Sequence, residues 1–147
     1  MSAGRGPAVI TVERRVEWRD TDAAGHHHFT AVLNWAEEAE YVLYERLEIA
    51  DVLAGRCPRV HVGFDYKRPT HARQVVEIDL AVLDVGRTSV RYAVTVRCEG
   101  ESVADGVVAA VYVPNGAPTP WPEEVRRALL ESGRVPDERY TSHDGAA

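Results

Sequence analysis

Cysteine is scarce in this 147-residue chain, which holds only Cys57 and Cys98. Two thiols so far apart make neither a disulfide framework nor a zinc knuckle. Both are expected to be reduced, and buried or half-buried, in a cytoplasmic protein. Long apolar runs are also missing. None approaches the ~20 residues of a membrane span, and Met1 to Pro7 lacks the apolar stretch of a secretion signal, so it reads as a flexible leader. Nor is there an excess of positive charge. Seventeen Lys and Arg face 23 Asp and Glu, a net charge of −6, which argues against a general nucleic-acid binder. A small anionic ligand remains open to a local cluster of Arg and Lys. Internal repeats and a second domain are absent as well. With 45% apolar and 27% charged residues, the chain suits one soluble domain with a real core.

The hydrophobic period, by contrast, changes clearly along the chain. From Ala8 to Trp18, Ile10, Val12, Val16 and Trp18 alternate with Thr11, Glu13, Arg15 and Glu17, the pattern of a half-buried strand. Arg14 falls on the apolar side, which points to a bulge or an open edge. From Phe29 to Ile49 the spacing becomes helical through Val32, Leu33, Ala36, Ala39, Val42, Leu43 and Leu47, with no Gly or Pro inside. Glu37, Glu38, Glu45 and Arg46 decorate the rest. Asp51 to Pro58 read as a short turn or frayed helical end. Three alternating segments follow, around Val60–Tyr66, Val76–Val82 and Val90–Val96, and then a nearly continuously apolar last strand, Val103–Val113. Four prolines between Pro114 and Pro122 end this unit; Glu123 to Leu130 make a surface helix, and Asp137 to Ala147 a tail. The expected domain is thus residues 8–114, with leader 1–7 and extension 115–147. Its class is α+β: an antiparallel sheet of about five strands curled around one long helix.

Chemistry concentrates in Asp20-Thr21-Asp22-Ala23-Ala24-Gly25-His26-His27-His28-Phe29, at the junction of the first strand and the helix. A helix start adds unpaired N–H donors beside these titratable groups. Asp at such a junction also serves as a cap or turn residue, and position alone leaves both roles open. If the segment is extended, His26 and His28 share a side, where one orients Asp22 or binds substrate. His27 best suits a loop histidine bonded to backbone. Asp20, Asp22, His26 and His28 are all capable metal ligands, yet no second ligand motif joins them. Neither metal nor cofactor is expected.

Three strings together carry a family resemblance: Trp18-Arg19-Asp20-Thr21-Asp22-Ala23-Ala24-Gly25-His26, Leu33-Asn34-Trp35-Ala36-Glu37-Glu38-Ala39, and Tyr66-Lys67-Arg68-Pro69. With the element order, they resemble the hot-dog fold acyl-CoA thioesterases of the 4-hydroxybenzoyl-CoA thioesterase-like family, over about Val9 to Val113. The resemblance implies that Asp22 is the catalytic carboxylate and that the Phe29 amide polarises the thioester carbonyl. It also implies substrate contact at Gly25, a homodimer or homotetramer, and a site at the subunit interface. Many relatives carry His-x-Asn-Asn where this chain has His26-His27-His28-Phe29.

A thioester is already activated, so its hydrolysis needs a base or nucleophile, an oxyanion donor and room for the thiolate. Asp22 fits either first role, and Phe29, at a helix start, fits the second. Glu37 or Glu38 is the reserve base. Lys67, Arg68 and Arg73 at one strand end, and Arg87 and Arg91 by a hairpin, are the candidate grip for coenzyme A phosphates. Trp35, Tyr41 and Tyr44 are candidates for shaping an acyl pocket, although aromatics at helical spacing also suit a core. The expected activity is hydrolysis of an acyl-CoA or acyl-carrier-protein thioester. The alternatives are a hot-dog protein that binds such ligands without hydrolysis and a hot-dog dehydratase.

Overall fold

The computed structural model describes residues 4–142. Strand β1 (Val9–Arg15) is followed by a 3-10 turn (Trp18–Asp20), the long helix α1 (Phe29–Arg46) and the short α2 (Ala50–Leu53). Four strands come next, β2 (Arg59–Tyr66), β3 (Val75–Val85), β4 (Ser89–Cys98) and β5 (Glu101–Val111), and then α3 (Glu123–Glu131). The strands form one antiparallel sheet in the order β1-β3-β4-β5-β2. Its alternating residues, among them Ile10, Val12, Ile78, Leu80, Val94 and Val96, are fully buried, as are Val32, Ala39 and Leu43 of α1. This is the expected α+β hot-dog architecture of five strands and one long helix. Among the described residues no helix is long and apolar enough to cross a membrane. Both cysteines are free and buried.

Local differences from the periodicity have clear causes. The first strand stops at Arg15 because the chain turns into the 3-10 segment, where Asp20 accepts the Glu17 N–H at 2.8 Å. Trp18, expected on the buried face, is therefore 80% exposed. Arg14 causes no bulge: it pairs regularly with Val76, and its guanidinium reaches sideways to Glu38 and Glu138.

The two edges of the sheet are treated differently. Along β1 the segment after α3 runs as a strap, with Val9 N–H to Gly133 O (3.0 Å), Val135 N–H to Val9 O (2.9 Å) and Glu138 N–H to Thr11 O (3.0 Å). Arg139 adds ion pairs to Glu13 and Glu77. The tail expected from Asp137 is thus bound to the sheet through Tyr140, whose N–H donates to Glu13; residues 143–147 lie outside the described residues. Among the described residues the β2 edge has no such cover, and Val60 on it is 63% exposed. An uncovered edge strand is a template for pairing with another chain.

Strand β2 also lies unusually close to β5. A Cβ on Gly106 would stand 2.0 Å from the Gly63 carbonyl oxygen, so glycine is what permits the approach. Near its start, β2 carries an irregularity: Arg59 pairs with Ala110 and His61 with Ala109, leaving Val60 as an extra residue. One extra residue inverts the alternation beyond it. Arg59 therefore turns to the helix side with Val62 and Phe64, a position the plain alternation gives to Val60.

Candidate active site

Backbone bonds organise the loop before α1. Asp20 is committed to structure, since its carbonyl accepts the His28 N–H at 2.6 Å in addition to the Glu17 contact. Asp22 heads a tight turn, with Gly25 N–H to Asp22 O at 3.0 Å and Gly25 at φ 89°. That left-handed conformation suits glycine. Asp22 Oδ1 accepts the Ala24 N–H at 2.8 Å. Its Oδ2 accepts no hydrogen bond among the described residues and stands 3.9 Å from His26 Nδ1, too far for a direct one.

The three histidines take three environments. His26 lies beside Asp22 and forms an isolated backbone bridge with His71. His27 is buried and rings with Trp35 and Tyr66 (centroids 6.0 and 6.4 Å). The Thr70 N–H donates to His27 Nδ1 at 3.0 Å, so a neutral His27 carries its proton on Nε2. This is the backbone-bonded histidine expected at position 27. His28 is the N-cap of α1: its Nδ1 accepts the Thr30 N–H at 3.2 Å, which folds the ring back over the first helical turn. The expected pairing of His26 and His28 on one side is thus replaced by His26 with His27. Capping sends His28 to the other side, toward Arg19, Asp20 and Asn34. The same division separates Asp20 and His28 from Asp22 and His26, so the four potential metal ligands do not converge.

Burial first, and the neighbouring His26 second, hold the His27 pKa below its ordinary value of 6.5. Its folded pKa is depressed, so the stabilisation is complete above pH 6.5 and is lost as pH falls, when the unfolded chain takes up the proton first. Melting temperature is expected to fall as pH drops below about 6.5. His27→Gln, which keeps an acceptor for Thr70, should flatten that slope; equal slopes in both proteins would contradict it.

Asp22, His26, His27, Phe29, Tyr66, Lys67, Arg68 and Pro69 line one concavity of about 400 Å³. The Phe29 N–H has no partner among the described residues, as expected of a first helical residue. Tyr66 Oη donates to the Phe29 carbonyl at 2.8 Å, tying the end of β2 to the start of α1. Lys67 pairs with Asp105 (2.8 Å) and Arg68 with Glu101 (2.7 Å), both at the exposed rim. Arg87 and Arg91 are elsewhere. Tyr66 shares a row with Ala104 and Val96, and Arg91 lies five residues further along β4, roughly 17 Å away. The expected cluster of cations is therefore divided, with only Lys67 and Arg68 beside Asp22. Glu37 and Glu38 face a different cavity, paired with Arg59 (3.3 Å) and Arg14 (2.6 Å).

That second cavity, of about 920 Å³, runs along the outer side of α1 and is bordered by Glu40, Tyr44, Cys57 and Arg59. Glu40 is only 2% exposed, yet well partnered. Tyr44 Oη donates to it at 2.5 Å, Arg59 Nη2 donates at 2.7 Å, and Tyr92 Oη sits 2.8 Å from Tyr44 Oη. Burial raises the Glu40 pKa, opposed by Arg59 and the Tyr44 hydrogen bond. Burial, with Glu40 close by, pushes the Cys57 thiol up to about 12, so it is no nucleophile. Sequence reading missed Glu40, although a signal existed. Four residues after Ala36 and three before Leu43, it is a carboxylate on the apolar stripe itself.

Comparison with known proteins agrees with the motif reading. A 1,4-dihydroxy-2-naphthoyl-CoA hydrolase from Parasynechococcus marenigrum (strain WH8102) is 36% identical over 96 residues, covering 56% of this chain and 63% of that one. The chain thus matches somewhat under two thirds of that relative's length. A 1,4-dihydroxy-2-naphthoyl-CoA hydrolase from Prochlorococcus marinus (strain MIT 9303) is 26% identical over 138 residues, covering 84% and 91%. A thioesterase from Thermus thermophilus, solved with coenzyme A and zinc, superposes with a TM-score of 0.76 at 27% identity, covering 88% of this chain and 94% of that one. The profile of the thioesterase-like superfamily matches residues 16–129, from just after β1 into α3, and the chain belongs to that superfamily.

Proposed function

We propose that the protein hydrolyses an aryl-CoA thioester to the free acid and coenzyme A, with Asp22 and the Phe29 amide as its catalytic groups. One observation carries this reading: Asp22, with one carboxylate oxygen free of a hydrogen bond among the described residues, and Phe29, whose helix-start N–H is unpartnered among them, line the same concavity. The thioester carbonyl oxygen accepts the Phe29 N–H, and the aligned peptide dipoles of α1 add to the stabilisation of the developing oxyanion. Asp22 Oδ2 then acts in one of two ways. As nucleophile it bonds to the acyl carbon, the C–S bond breaks, coenzyme A leaves as thiolate, and water hydrolyses the mixed anhydride. As base it takes a proton from water, whose oxygen bonds to the acyl carbon as the thiolate departs. Ala24 holds the other carboxylate oxygen, which fixes the direction of attack in either route.

Lys67 and Arg68 are the phosphate contacts of this site. Their present ion pairs are exposed and therefore weak, so both cations are free to exchange a carboxylate for a phosphate. The net charge of −6 weighs against an acidic carrier protein as the partner. Substrate class comes from the two naphthoyl-CoA hydrolases among the relatives. The working unit is a homodimer or a larger homo-oligomer joined at the open β2 edge. Gly25 shapes the turn, and His26 stands where it can orient Asp22.

The test is thiol release from 1,4-dihydroxy-2-naphthoyl-, benzoyl-, acetyl- and palmitoyl-CoA. The aryl thioesters are expected to lead in kcat/KM by about tenfold or more. Preference for an alkyl chain would overturn the substrate class. No turnover of any thioester by the folded protein would put ligand binding without hydrolysis in its place.

A further inference from the structure

The pair of buried Glu40 and partly exposed Arg59 has no part in the mechanism above, although the fold goes to some length to build it. An ionised carboxylate inside an apolar helix face is costly unless fully paired. Here it is held by Tyr44 and Arg59, with Tyr92 behind. The irregular pairing at the start of β2 turns Arg59 inward to meet it. The result is a guanidinium in a fixed pose, 30% exposed, bordering the largest cavity described. Its Nε–H has no partner among the described residues, and Nη1 has only the 3.3 Å contact with Glu37.

Within one chain this arm cannot serve the Asp22 centre. Tyr66, which touches Phe29, is seven steps along β2 from Arg59, roughly 23 Å at about 3.3 Å per residue. An aromatic acyl group does not span that. A second copy removes the difficulty. The β1 edge is closed by the strap at Gly133–Glu138, whereas the β2 edge is uncovered among the described residues. Two identical edges related by a two-fold axis normal to the sheet pair antiparallel. A register centred on the strand then sets the Arg59 end of one copy beside the Tyr66 end of the other.

We infer that Arg59, seated by Glu40, is a specificity-determining residue that acts in trans, donating to an oxygen substituent on the ring of the acyl group bound at the partner copy's Asp22 centre. A guanidinium is donor-only, so the substituent is an acceptor: a phenolic oxygen or a carboxylate. Hydroxyaryl acyl groups are matched and bare aryl groups are not. A site built around such a contact rejects the analogue lacking it, because its polar groups are left unpaired. The inference rests on the thioesterase reading and deepens it.

Its test compares kcat/KM for 4-hydroxybenzoyl-CoA and benzoyl-CoA. In Arg59→Met the ratio is expected to fall by about tenfold or more from the wild-type value. Arg59→Lys keeps the charge next to Glu40 but loses the fork of donors; it should fall in between, and it stands in if the Met variant does not fold. A mixed dimer of Asp22→Asn and Arg59→Met chains, purified through two tags, contains one site with both residues intact and should regain the wild-type ratio. An unchanged ratio in both Arg59 variants would overturn the inference alone. A mixed dimer that keeps the altered ratio would overturn its action in trans. Absence of thioester turnover in the wild type would overturn the thioesterase reading, and this inference with it.

Discussion

Asp22→Asn is expected to lower kcat for the best aryl-CoA by about 10³-fold while leaving the fold intact. The magnitude follows from what is removed. A positioned base contributes about 10²–10⁴, and a nucleophile that forms the covalent intermediate contributes at least as much. An amide replaces neither. The geometry makes the substitution clean. Asparagine retains the Oδ1 acceptor that the Ala24 N–H occupies at 2.8 Å, so the turn through Gly25 has no reason to change. The Asp22 side chain is partly exposed and takes part in no buried ion pair, so stability should stay within about 0.5 kcal/mol of wild type. KM should move little, because in the proposed mechanism Asp22 acts on the acyl carbon whereas Lys67 and Arg68 hold the carrier. Steady-state thiol release with thermal melting of both proteins checks each part. Equal turnover would move the chemistry away from Asp22. Glu37 and Glu38 would be poor replacements, since each is tied to an arginine on a different cavity.

The features legible in the sequence were those carried by local periodicity and by a short motif. Alternation at β1, β3 and β4, the nearly continuous apolar run of β5 and the helical spacing from Phe29 gave the element order, and the strings at Trp18–His26, Leu33–Ala39 and Tyr66–Pro69 gave the family resemblance. Features set by tertiary pairing were not legible. The alternation through Val60, Val62, Phe64 and Tyr66 concealed the irregularity that exchanges Val60 for Arg59, because an inserted residue leaves no mark in composition. Polar composition after Asp137 read as a tail, yet the β1 edge supplies backbone partners for Glu138 and side-chain partners for Arg139. His28 is chemically equal to His26 as a string of letters. Only the demand of Thr30 for a capping acceptor separates them. The distribution of arginines over the two ends of the sheet likewise depends on strand register, which fixes Arg91 far from Lys67.

The claim at the centre of this account is that a backbone N–H, the one on Phe29, stabilises the oxyanion. Phe29→Pro tests it most directly, because proline deletes that N–H and little else. Phe29 is the first residue of α1, where proline is favoured and the missing donor breaks no helical bond. The residue before a proline must be extended, and His28 already is, at φ −69° and ψ 143°. The phenyl ring itself is 61% exposed, and Phe29→Ala is the control that removes the ring and keeps the donor. Loss of one oxyanion donor costs about 10²–10³ in kcat. The measurement is therefore kcat for an aryl-CoA in Phe29→Pro against Phe29→Ala, with melting curves alongside. A proline variant that melts like the alanine variant but turns over at least about 100-fold more slowly is the predicted result; equal turnover in the two folded proteins would contradict the account.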